Sequence, residues 1–260
     1  VLIVANHPCS LTDSFMVGHA VVRPVSFMAT VELFRFAPFK WLLSRCGVIP
    51  VNRLKDDPRG MKSVLETFER CYAVMEGGGA VALFPEGITH DDPQLKEVKS
   101  GASRMALELE HRHAGKLGLM LVPVGLNFSA NEHYRSDVLV NFGEPICAAD
   151  FLVGYAERRK ECINRLTEEI ESRIKSLIIH LPHLEQARVV EAVKRLYLDR
   201  LRVGDRVVGE PLSPQADELA LTRRIVHAVE EVFRIQPARA AVFSMKLDRY
   251  QAVLERLHLP

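Results

Sequence analysis

Two uninterrupted apolar runs, Val1-Leu2-Ile3-Val4-Ala5 and Ala80-Val81-Ala82-Leu83-Phe84, set the narrowest limit on what this chain can fold into. A strand without polar alternation has to be buried on both faces, and such strands belong to parallel sheets covered by helices. The segments between them fit that demand. Asp57-Pro58 is a helix start, and Met61, Val64, Leu65, Phe68, Cys71, Tyr72 and Met75 follow at helical spacing until Gly77-Gly78-Gly79 stops the pattern. Further strands are predicted at 47–51, 119–126 and 137–142, and a further helix at 100–111. Residues 14–46 are dense in Phe, Met, Val and Leu but broken by Arg23, Pro24, Glu32, Arg35 and Pro38, the pattern of two or three short amphipathic helices. Strands and helices alternating at crossover spacing predict an α/β fold with a largely parallel central sheet flanked by helices.

After about residue 150 the pattern changes. Ile163, Leu166, Ile170, Ile174 and Leu177 form one helical stripe, and further stripes lie near 184–200, 217–234 and 245–257, with a turn-rich break from Gly204 to Pro214. The expectation is therefore an α/β domain over residues 1–150 and an all-helical C-terminal extension over 151–260. The chain opens at Val1 in mid-strand, which reads as a piece of a longer protein with any anchor or targeting segment outside it. No run of 18 or more uncharged apolar residues is present to span a bilayer.

A net charge of +1 argues against an electrostatically driven nucleic-acid binder. The five cysteines are scattered, without the spacing of a zinc site or a disulfide framework, and fit a reducing compartment.

Three polar segments stand directly after predicted strands, where open α/β sheets bind their ligands. In Asn6-His7-Pro8-Cys9-Ser10-Leu11-Thr12-Asp13, Asp13 is close enough to turn back toward His7. A carboxylate on one imidazole nitrogen fixes the tautomer and frees the other nitrogen to take a proton from a hydroxyl. A His and an Asp that only cap a loop are the plainer alternative. Arg53 follows the 47–51 strand, and its guanidinium fork suits a phosphate, although a surface salt bridge would use it as well. Phe84-Pro85-Glu86-Gly87 follows the 80–84 strand, where the Glu86 carboxylate could hydrogen-bond substrate hydroxyls or order a basic residue. The polar turn Thr89-His90-Asp91-Asp92-Pro93 after it suits a site loop. Lys99-Ser100-Gly101-Ala102 opens a helix whose N-terminus, with the Lys99 charge, favours an anion, or is a routine helix start. Val122-Pro123-Val124-Gly125 reads as core or as the wall of an acyl-chain tunnel.

Taken in order, these four blocks resemble the glycerolipid acyltransferase family, which contains glycerol-3-phosphate and 1-acylglycerol-3-phosphate acyltransferases. The likeness covers residues 1 to about 150. It implies a glycerol-3-phosphate acyltransferase-like fold and a phospholipid-synthesis O-acyltransferase, with His7 as general base and Asp13 as its orienting partner. It also implies that Arg53 and Lys99 bind the acceptor's phosphate and that Glu86 and Gly87 hold its glycerol part. Acyl-CoA or acyl-carrier protein would be the co-substrate, with no metal and no resident cofactor. The commoner family spacing leaves four residues between His and the acid, which falls on Thr12. Threonine cannot ionise, and the wording here resembles a branch related to yeast-type glycerol-3-phosphate/dihydroxyacetone-phosphate acyltransferases with five intervening residues, which selects Asp13.

Two other classes compete. A thioesterase or lysophospholipase would share the general-base chemistry, but no Gly-x-Ser-x-Gly elbow is present. A non-catalytic lipid-binding protein would not need His7, Asp13, Arg53, Glu86 and Lys99 all intact. Between residues 21 and 46, Phe27, Met28, Val31, Leu33, Phe34, Phe36, Phe39, Trp41, Leu42 and Leu43 crowd together with Arg23, Arg35, Lys40 and Arg45. That mixture predicts either an interfacial segment on the cytoplasmic face of a membrane or a helix pair packed on the sheet.

Overall fold

The apolar runs form the middle of a seven-stranded sheet. The computed structural model describes residues 1–51, 61–90, 92–128, 137–204 and 214–256. Its strands are β1 (Leu2–Ala5), β2 (Val25–Thr30), β3 (Ile49–Val51), β4 (Ala80–Leu83), β5 (Met120–Phe128), β6 (Val138–Phe142) and β7 (Ile146–Cys147). They lie in the order β3-β2-β4-β1-β5-β6, with β7 also on β5. β3, β2, β4, β1 and β5 run parallel, while β6 and β7 pair with β5 antiparallel. The largely parallel α/β sheet is thus present, and all four residues of β1 and of β4 are buried.

Alternate residues of these central strands feed two cores. Leu2, Val4, Val81, Leu83 and Leu121 pack with residues of α3 (Met61–Glu76), α4 (Gly101–Arg112) and α5 (Arg159–Leu177). Ile3, Ala5, Ala82, Val124 and Leu126 pack with Val17 of α1 (Leu11–Ala20). Pro123, inside β5, is tolerated because it falls between the stretches that pair with β7 and β6. Its carbonyl accepts the Gly143 N–H at 2.9 Å, and its missing N–H faces the same gap, where no ladder donor is needed.

Residues 14–46 are not only helical as expected. β2 replaces one of the predicted helices, and Phe27 and Met28 pack against the two cores. The short α2 (Ala37–Arg45) follows a 3₁₀ turn over Val31–Phe34. Phe36, Trp41 and Leu42 stay exposed there, so the apolar crowd splits between sheet and surface. The predicted start of α3 at Asp57-Pro58 lies outside the described residues.

Compactness divides the chain after Ile178 rather than near 150. The reason is α5, whose Cys162, Ile163, Leu166, Ile170 and Ile174 are all buried in the core beneath the sheet. Its end presses on β5 so closely that a methyl group on Gly125 would lie 2.5 Å from both Cβ and O of Leu177. Asn127 and Asn141 each donate their side-chain amide to that same Leu177 carbonyl at 3.0 Å, closing the helix end. The glycine of the fourth block is therefore a packing requirement.

The second unit comprises Asp92–Gln94 and Ile179–Pro260. Its described part is helical, with α6 (Ala187–Gly204), α7 (Pro214–Ile235) and α8 (Pro237–Arg256) around Leu181, Val189, Val190, Ile225, Val226, Val229 and Leu247. No described helix is long and apolar enough to cross a membrane.

Gly125→Ala should destabilise the first unit by about 1–3 kcal/mol, since backbone rather than a flexible side chain stands in the way. The urea midpoint measures this, and an unchanged midpoint would show that α5 does not need the contact.

Candidate active site

β1 and β4 are parallel neighbours, so the loops leaving Ala5 and Leu83 emerge at one edge of the sheet. Asn6 fixes the first of them. Its side-chain carbonyl accepts the Leu126 N–H at 2.7 Å and its amide donates to the Leu126 carbonyl at 3.0 Å, so it mimics one more residue of backbone pairing between β1 and β5. His7 begins where that stitch ends.

The loop then turns through Ser10, whose φ of 54° is unusual for a residue with a side chain, into α1. Asp13 stands in the first turn of α1, where the unpaired N–H groups favour a carboxylate. Its Oδ2 accepts the Cys9 N–H at 2.8 Å and lies 2.8 Å from His7 Nδ1. An ionised carboxylate only accepts, so Nδ1 carries the proton and Nε2 offers its lone pair. The six-residue spacing is thus one turn plus one helical turn, and the acid at hand is Asp13. Asp13 is fully buried, while His7 retains 19% side-chain exposure. His7 Nε2 makes no hydrogen bond among the described residues.

Two further contacts hold the histidine. Its ring stacks on Phe84 with centroids 4.2 Å apart and planes 10° from parallel. Its backbone N–H donates to Glu86 Oε1 at 2.8 Å. Glu86 is itself buried, and its Oε2 receives the Lys96 N–H at 2.8 Å and pairs with His90 Nε2 at 2.6 Å. Of the two roles open to Glu86 in the sequence, ordering a basic residue is the one its geometry displays. Both oxygens are occupied by protein donors.

Gly87 has φ +64°, and a methyl group there would lie 2.6 Å from Lys99 Nζ. The glycine therefore leaves room for the Lys99 ammonium, which is exposed and has no ion pair among the described residues. The Lys99 N–H donates to Pro85 O at 3.0 Å, which brings the start of α4 beside the Glu86 loop. His7, Asp13, Glu86, Gly87 and Lys99 so gather at one sheet edge, and Arg53 lies outside the described residues. Among the described residues no group of three His, Cys, Asp or Glu side chains could hold a metal ion. The cysteines are free, and burial pushes the Cys71 thiol up to about 12, which removes it from reactive chemistry at neutral pH.

Sequence reasoning missed the Asn6 stitch, the Phe84 stack and the pairing of His90 with Glu86. Only the last left a trace, a histidine four positions after a carboxylate.

Fold and site together define an α/β protein with a carboxylate-held histidine and a free lysine at the carboxyl edge of a parallel sheet. Residues 1–127 match the family described as Acyltransferase. An uncharacterized acyltransferase of Schizosaccharomyces pombe is 34% identical over 122 residues, 46% of this chain and 18% of that protein. Glycerol-3-phosphate O-acyltransferase 2 of Saccharomyces cerevisiae is 31% identical over 134 residues, 51% of this chain and 18% of that protein. A chloroplastic 1-acyl-sn-glycerol-3-phosphate acyltransferase of Arabidopsis thaliana is 31% identical over 123 residues, 47% of this chain and 30% of that protein. Residues 1–127 are thus similar to the Acyltransferase family, and the relatives that they match include a glycerol-3-phosphate and a 1-acyl-sn-glycerol-3-phosphate acyltransferase. The matched part spans less than a third of the length of each of these relatives.

Asp13→Ala removes the acceptor opposite Nδ1 and should let the His7 proton populate Nε2. Nitrogen chemical shifts of the imidazole ring report the tautomer, and an unaltered spectrum would mean that Asp13 does not set it.

Proposed function

We propose that this chain carries the acyl-transfer site of a phospholipid-synthesis O-acyltransferase. It would move a fatty acyl group from an acyl thioester, acyl-CoA or acyl-carrier protein, to a hydroxyl of glycerol-3-phosphate or lysophosphatidic acid. The observation that carries this reading is the His7–Asp13 pair, with Nδ1 held and Nε2 unengaged at the sheet edge.

In this reading His7 Nε2 takes the proton of the acceptor hydroxyl as its oxygen attacks the thioester carbonyl. Asp13 steadies the imidazolium that forms. The tetrahedral intermediate then expels the thiolate, which recovers the proton from His7, leaving an ester and a free thiol. No metal or resident cofactor enters these steps. Lys99, held over Gly87 near the Glu86 loop, supplies a charge for the acceptor's phosphate, with Arg53 as its expected companion. Gly87 contributes by its missing side chain, and Glu86 by fixing the loops around the acceptor.

His7→Ala should lower acyl transfer by roughly 10²–10⁴-fold while leaving the fold intact. An assay across glycerol-3-phosphate, dihydroxyacetone phosphate and lysophosphatidic acid, with both kinds of thioester donor, also identifies the acceptor. Acyl release at the same rate without any acceptor would instead mark a hydrolase.

Peripheral attachment to a membrane surface is part of the same reading. β2 runs parallel to β4, so the segment over Val31–Arg45 leaves the edge that carries His7. There Phe36 and Trp41 are 67% and 64% exposed, with Lys40 and Arg45 alongside and the Arg45 guanidinium 5.5 Å from the Trp41 ring centroid. Burying each large apolar side chain in lipid contributes about 1.5–3 kcal/mol. Phe36→Ala with Trp41→Ala should abolish flotation with anionic liposomes, and flotation equal to the unsubstituted protein would remove α2 from this role.

A further inference from the structure

His90 has no part in the proton transfer assigned to His7, yet it is built into the same site. Its side chain is 13% exposed, its Nε2 is committed to Glu86 Oε2 at 2.6 Å, and its Nδ1 is buried without a partner among the described residues. A substrate therefore meets neither nitrogen, and a direct catalytic role is closed to it. What His90 does touch is the carboxylate that holds His7 by the backbone.

A buried carboxylate is costly unless each oxygen finds donors, and an incompletely satisfied one turns or relocates to find them. Glu86 has three. Oε1 takes the His7 N–H, and Oε2 takes the Lys96 N–H and the His90 Nε2. Glu86 is acceptor-only when ionised, so His90 Nε2 carries the proton of that hydrogen bond. The two backbone donors belong to the loops being positioned. His90 supplies the one side-chain donor to the carboxylate among the described residues.

We propose that His90 is a positioning residue for His7, acting through Glu86. Asp13 sets the ring of His7 and its tautomer, whereas the His90–Glu86 pair sets where the His7 backbone sits beside the Lys96 loop. General-base catalysis depends on placement at the ångström level, so loss of this anchor should lower the rate of the chemical step more than the binding of either substrate.

The kinetic half of this proposal rests on the acyl-transfer reading, and its structural half does not. The test compares His90→Gln with His90→Asn. The Gln amide nitrogen can occupy the position of Nε2 and donate to Glu86, while the Asn amide nitrogen corresponds to Nδ1 and falls short. His90→Gln is expected to keep kcat and the hydrogen-exchange protection of the His7 and Lys96 amides. His90→Asn is expected to lose roughly 10–100-fold in kcat with KM nearly unchanged, and to exchange both amides faster. The proposal is overturned by unaltered kcat and amide protection in His90→Asn, or by His90→Gln falling as far as His90→Asn, which would assign the role to the imidazole itself. A raised KM with unchanged kcat would likewise overturn it. If the unsubstituted protein transfers no acyl group at all, the acyl-transfer reading fails, and the amide exchange still decides whether His90 holds His7.

Discussion

A carboxylate placed at the mouth of a parallel sheet, with almost no access to water, has to draw its hydrogen bonds from the protein around it. Glu86 draws them from two loops, that of His7 and its own, which carries His90 and Lys96, and so the two loops take their relative positions from one buried group. Sheet edges present irregular backbone, which carries little geometric information of its own. The second fixed point is Asn6, which extends the β1–β5 pairing by one side chain so that the first loop cannot start elsewhere. With both ends of the histidine's neighbourhood tied, Asp13 and Phe84 have only the ring left to orient.

Much of this was legible in advance. Unbroken apolar pentads announced β1 and β4, since nothing but burial on both faces tolerates them, and the polar blocks after them marked the edge of the sheet. The pairing of His7 with Asp13 followed from which nearby side chain can ionise. β2 was not legible, because Val25–Thr30 mixes Phe, Met and Ser without strict alternation between basic, proline-bearing flanks. Its strand character comes from the neighbours on either side, β3 and β4, and not from its own pattern. β7 is two residues long and exists only because β5 offers it an edge.

The helical stripe of α5 was equally clear, and the surface it packs against was not. Periodicity gives the face a helix buries without naming the surface that receives it. Here the receiving surface is the sheet, and the cue lay in Gly125 and Gly143, whose missing side chains admit Leu177. The role of Glu86 was hidden for a related reason. The residue type allows contact with substrate or with protein, and only the positions of Lys96 and His90 decide between them.

The way α5 closes on the sheet bears on where this chain can be cut. Leu166, Ile170 and Ile174 are fully shielded from water, and together with Leu177 they roof the strands around β5. A segment ended near residue 150, where the composition changes, would carry an uncovered apolar trough and two asparagine amides reaching for a carbonyl that is no longer there. Such a surface is a site of self-association. The smallest independent piece of this protein is therefore longer than its recognisable blocks and ends beyond the helix that roofs them.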